Sequence, residues 1–106
     1  MNLESAHKQS LAYLASPRAL SDVSHDAYWP KWDSPWWHML LLHEMGETKQ
    51  IPEAVVRAMV AAVNRYPLRI FPFEERDLLP GMDIYRDVPC HCALGSIYQV
   101  LHAWGI

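Results

Sequence analysis

Apolar positions in this chain recur mostly with helical spacing, and the polar residues between them fall into short punctuating groups. Leu3, Ala6, Leu11, Tyr13 and Leu14 outline a first amphipathic helix ending near Ala15, where Ser16-Pro17 interrupts the register. From Ser16 to Asp33 the pattern predicts irregular chain, rich in Ser, Asp and Pro. Ser34-Pro35 then reads as an N-cap followed by proline at the first helical position, where a missing N–H costs nothing. The run from Trp36 to Met45 is apolar nearly all round, which predicts a buried helix stopped by Gly46. After a polar turn at Glu47 to Gln50, Pro52 and Glu53 open another helix. Its stripe is Ile51, Val55, Val56, Met59, Val60 and Val63, with Glu53, Arg57 and Asn64 opposite, and it ends near Arg65. A buried helix and an amphipathic one joined by a short turn form an antiparallel pair.

Tyr66 to Val88 is a long, proline-punctuated connection, with an extended piece at Arg69 to Phe73 and a turn at Leu79-Pro80-Gly81-Met82. Pro89 to Trp104 forms a last, largely apolar helix capped by Gly105. The expectation is an all-α fold in a single helical domain, residues 1–106. It has about four helices in antiparallel pairs and a long irregular proline-rich connection.

Composition narrows the function classes. Hydrophobic residues make up 51% and charged ones 20%, enough for a packed core, so wholesale disorder is excluded. Eight prolines and only four glycines argue against a turn-rich β domain. Nine Lys/Arg against twelve Asp/Glu, dispersed along the chain, leave no basic footprint for nucleic acid. No apolar run approaches the roughly 20 residues of a membrane span, and no secretory leader is visible. Cys90 and Cys92, one residue apart, cannot staple a long loop, which suits a cytoplasmic protein.

The third and last helical segments echo one another at an offset of 59 residues. Pro30 falls on Pro89, Leu42-His43 on Leu101-His102 and Gly46 on Gly105. Helix-pair units at about residues 30–65 and 89–106 would account for this. An aromatic and Asp-bearing lead-in, a buried helix ending in Leu-His-x-x-Gly and an outer helix resemble the α/α-toroid proteins, the terpenoid cyclase and protein prenyltransferase group. The resemblance covers roughly Trp29 to Arg65 and Asp87 to Ile106. It implies that inner helices point their N-termini into a central cavity, with Asp33, Trp36 and Trp37 at one such start and Cys90, His91 and Cys92 at another. The chain departs from the group in lacking an Asp-rich acid motif and a repeated Gln-Trp motif. Four helices also cannot close a ring, so the expected partner is a second copy in a homo-oligomer or the remainder of a larger helical protein.

Candidate chemistry gathers at Pro89-Cys90-His91-Cys92. Thiolates and imidazole suit zinc. In a helix the two thiols would point about 200° apart, whereas in an extended lead-in they would share a side. His38, His43 or Asp33 could complete a site begun by His91 and one cysteine. The lanthionine cyclases, a related metal-dependent architecture, hold zinc with a similar Cys-His pair. Two packed cysteines around a hydrogen-bonded core histidine explain the same residues without metal, and a reactive thiol is a third reading. His43 and His102 read as helix C-terminal caps. Trp29, Trp32, Trp36 and Trp37 would line an aromatic cavity or pack as core. The acidic residues from Glu74 to Asp87 read as a solvated loop face. The expected function is a helical binding module or subunit that takes a metal or small apolar ligand between buried helices. The alternatives are a toroid-type enzyme acting on a prenyl or thiol substrate, or a purely structural, self-assembling helical domain.

Overall fold

A computed structural model describes residues 2–28, 34–65, 76, 78–82 and 91–106, with side chains described from Ala93 onward in the last segment. Regular structure among these residues is entirely helical. Five α-helices appear among them: α1 (Leu3–Leu14), α2 (Pro17–His25), α3 (Pro35–Glu44), α4 (Glu53–Arg65) and α5 (His91–Trp104), with a 3₁₀ turn at Thr48–Gln50 before α4. None of these helices is long and apolar enough to cross a membrane.

The count exceeds the predicted four because the stretch expected to be irregular contains α2. The reason is local. The Asn2 side chain caps α1 by accepting the Ser5 N–H at 2.7 Å. Ser16 works on both sides of the next boundary: its hydroxyl donates to the Tyr13 carbonyl at 2.5 Å, closing α1, and accepts the Ala19 N–H at 3.3 Å, opening α2. Pro17 then occupies the first turn, where it needs no donor. Ser16-Pro17 therefore ends one helix and starts another, with the same residue pair that opens α3 at Ser34-Pro35.

The helix expected over the run after Ser34 is α3. It buries Pro35, Trp36, Met39 and Leu42, while Leu40 and Leu41 are half-buried and Glu44 is exposed. It is buried because it is central, packing on α1 and also touching α2, α5 and the 3₁₀ turn. The main partner of α4 is α2, and α4 buries Val55, Val56, Met59 and Ala62. Leu14, Val23, Met39, Leu42, Val56, Met59, Ile97 and Val100 form one continuous core across the helices.

The two helices paired by the sequence echo end alike. The Glu47 N–H bonds to the Leu42 carbonyl at 2.8 Å, and the Ile106 N–H bonds to the Leu101 carbonyl at 3.0 Å. Gly46 and Gly105 stand between, at φ +75° and +126°, where a side chain would be strained. Both helices contact the 3₁₀ turn. The predicted turn at Leu79–Met82 is present, closed by a 3.1 Å bond from the Met82 N–H to the Leu79 carbonyl, with Gly81 at φ +86°. The extended piece at Arg69–Phe73 lies outside the described residues.

Candidate functional site

The predicted site divides sharply by position. Trp32, Asp33 and Cys90 lie outside the described residues, as does Trp29. His91 and Cys92 form the first turn of α5, so the Cys92 backbone is helical rather than extended. Trp36 is buried in the core, and Trp37 stands 36% exposed on α3. The His38 Nδ1 lies 2.9 Å from the Ser10 hydroxyl, and its ring sits tilted on Tyr13 with centroids 4.7 Å apart. The Tyr13 hydroxyl in turn donates to Asp22 on α2 at 2.5 Å. This chain of contacts ties α1 to α3 and α2. Ser10 is only 2% exposed, so no substrate reaches that hydroxyl as a nucleophile.

Among the described residues no three His, Cys, Asp or Glu side chains converge as a metal site would require. No buried side-chain nitrogen or oxygen among them lacks a hydrogen-bond partner, so no orphaned polar atom marks a ligand position. The two echoed histidines also part company. His43 Nδ1 pairs with the Thr48 hydroxyl at 2.9 Å, bracing the turn after α3. His102 faces a groove.

That groove is the feature the residue types alone did not reveal. It runs between α4 and α5 with a volume of about 320 Å³ and is open to solvent on one side. Val60, Val63 and Asn64 form the α4 wall, and Tyr98, Leu101 and His102 form the α5 wall, with Ile106 at one end. Each wall repeats one pattern at i, i+3 and i+4: two apolar or aromatic residues, then a polar one. Leu101 is buried at the floor, while Tyr98 and Ile106 remain 50% and 46% exposed.

One polar clasp holds α5 in place beside the groove. The Trp104 indole N–H donates to the Ile51 carbonyl at 2.9 Å, and the Lys49 ammonium donates to the Trp104 carbonyl at 2.6 Å. Arg57 stacks over the Trp104 ring at 5.9 Å. Thus α5 ends where α4 begins.

Charge separates α5 from the other described helices. The exposed residues of α1 include Glu4 and Lys8, those of α2 Arg18, those of α3 Glu44, and those of α4 Glu53, Arg57 and Arg65. The described exposed residues of α5 are Gly95, Ser96, Tyr98, Gln99, His102 and Ala103, with no Asp, Glu, Lys or Arg. Part of this signal was legible. Val60 and Val63 belong to the apolar α4 stripe, and they are its half-buried members. The clasp and the meeting of α4 with α5 depend on tertiary contacts between residues about 50 apart in sequence. No family model, characterised relative or solved structure matches this chain.

Proposed function

We propose that the chain is a helical binding module and that the α4–α5 groove is its working surface. The observation that carries this reading is an apolar trough, walled by Val60, Val63, Leu101 and Tyr98, beside a helix that exposes no acidic or basic residue other than histidine among its described side chains. Depletion of charge around aromatic and aliphatic residues is the compositional mark of a recognition surface. The trough volume of about 320 Å³ falls at the lower end of ligand-sized cavities. An uncharged apolar group fits it best, because most of the lining offers area burial rather than hydrogen bonds.

The matched caps of α3 and α5 support a likeness between the ends of these two helices only. The test is titration with octyl glucoside, an uncharged amphiphile, below its micelle concentration. Saturable calorimetric binding is expected, weakened about tenfold by Tyr98→Ala, which removes aromatic area worth about 1.4 kcal/mol. No saturable binding, or equal binding by the variant, contradicts the proposal.

A further inference from the structure

We propose that α5 is a releasable helix, held by a latch at its last turn and able to open as a unit while α1 to α4 stay folded. The device is independent of what the groove binds. Three observations carry it.

The first is the segment that holds the latch. Four consecutive residues between α3 and α4 each bond to a helix. The Thr48 hydroxyl pairs with His43 Nδ1 of α3 at 2.9 Å, and the Gln50 Oε1 lies 3.1 Å from His7 Nε2 of α1. Lys49 donates to the Trp104 carbonyl, and the Ile51 carbonyl accepts the Trp104 indole N–H. Thr48 and Gln50 thus fasten the turn to α3 and α1, while Lys49 and Ile51 hold the end of α5.

The second is where α5 is tied. Among its described side chains, from Ala93 onward, every polar tie to the rest of the chain runs through Trp104. The remaining attachment is apolar, through buried Ala93, Ile97, Val100 and Leu101. The Lys49 ammonium is the charged member of the latch. It meets a carbonyl at the negative end of a 14-residue helix, where a charge-assisted bond is stronger than a neutral one.

The third is what stays behind. Ser10, His38, Tyr13 and Asp22 join α1, α2 and α3 in a network that includes no residue of α5, and the main partner of α4 is α2. Leu14, Val23, Met39, Val56 and Met59 keep these four helices on a shared core. Opening α5 therefore breaks the bonds on Trp104, uncovers one apolar face and leaves a packed remainder. Opening α3, which touches α1, α2, α5 and the 3₁₀ turn, dismantles the centre. Units that differ in this way open at different free energies.

The experiment is native-state hydrogen exchange of the full chain by NMR in low concentrations of urea, with wild type, Lys49→Met, Ser10→Ala and, as control, Lys8→Met. Lys8 is an exposed lysine of α1 paired with Glu4. In wild type the amides of Ile97, Val100 and Leu101 are expected to share one opening. That opening should show faster exchange and a smaller urea dependence than the amides of Met39 and Leu42. Lys49→Met keeps an unbranched side chain but removes the charge, and should speed exchange of the α5 amides about five- to tenfold. Lys8→Met should leave them unchanged. Ser10→Ala removes a bond that survives the opening of α5, so it should speed the α3 amides about fivefold or more and leave the α5 amides as they are. One urea dependence shared by α3 and α5 overturns the proposal, and so does a Ser10→Ala variant that speeds both helices alike, since the chain then opens only as a whole. Unchanged α5 exchange in Lys49→Met, or an equal gain in Lys8→Met, also overturns it, because Lys49 is then not the latch.

Discussion

The α1–α3 contact and the α4–α5 contact solve the same problem differently. Between α1 and α3, directed polar groups close the interface: Ser10 to His38, His38 on Tyr13, and Tyr13 on to Asp22 of α2. These bonds fix one arrangement, because each has an angle and a distance to satisfy. The polar clasp on Trp104 ties α5 to Lys49 and Ile51, just ahead of α4, with Arg57 alone reaching it from α4, and α4 and α5 themselves flank an open apolar trough. The first contact is complete within the chain. The second leaves apolar area half covered, and water is a poor neighbour for it. On the proposed function, a single core serves both stability and recognition, with stability concentrated where polar bonds close it.

The contrast can be broken most forcefully at the core itself. Met39 of α3 is fully buried, and Met39→Ala should cost about 2–5 kcal/mol by opening a cavity. Urea unfolding measures this; a loss below about 1 kcal/mol would mean that α3 is not central. On the closed side, Ser10→Ala removes the hydroxyl of a buried serine from its pair with His38, at a cost of about 1–3 kcal/mol by the same measurement.

Much of the fold was legible because helix ends are local chemistry. Ser34-Pro35, Gly46, Arg65 and Gly105 mark boundaries that the structure places within a residue or so of expectation. The departure at α2 is equally local. Ser16-Pro17 predicts a stop, yet a serine that accepts a backbone N–H and a proline in the first turn also start a helix. The candidate site was less legible for a different reason. Residue types draw attention to Cys90, His91, Cys92 and the tryptophans from Trp29 to Trp37, most of which lie outside the described side chains. The groove is made mostly from valine, leucine and tyrosine, with Asn64, His102 and Ile106, ordinary residues whose meaning depends on which neighbour covers them. Only Val60 and Val63 of the α4 stripe and the uncharged sequence of α5 hinted at an uncovered face.

Smaller perturbations sharpen the contrast. Gly46→Ala and Gly105→Ala force a side chain into the positive-φ region that L-residues rarely adopt and should each cost about 1–2 kcal/mol. Gly105→Ala should also loosen the α5 clasp, because its added carbon lies 3.3 Å from the Lys49 ammonium, whereas Gly46 has open space around it. Thermal unfolding combined with octyl glucoside binding separates the two: only Gly105→Ala should alter the groove. At the half-buried groove position Val63, a threonine should change unfolding by less than about 0.5 kcal/mol while weakening binding. Equal stability losses in Val63→Thr and Ser10→Ala would erase the distinction between the open and closed contacts. The smallest expected effect is that of a chelator. A groove lined by valine, leucine, isoleucine and tyrosine, with Asn64 and His102 as its polar members, holds no set of metal ligands, so EDTA should leave the melting temperature unchanged. A drop of several degrees would move the site to Cys90, His91 and Cys92.

The central claim, that recognition belongs to the α4–α5 edge, is tested most directly by amide-resolved NMR during an octyl glucoside titration. Shift changes are expected to concentrate on Val60, Val63, Asn64, Tyr98, Leu101 and His102, with the amides around Ser10, Tyr13 and His38 unmoved. Changes centred on α1 and α3, with the groove amides silent, would contradict it.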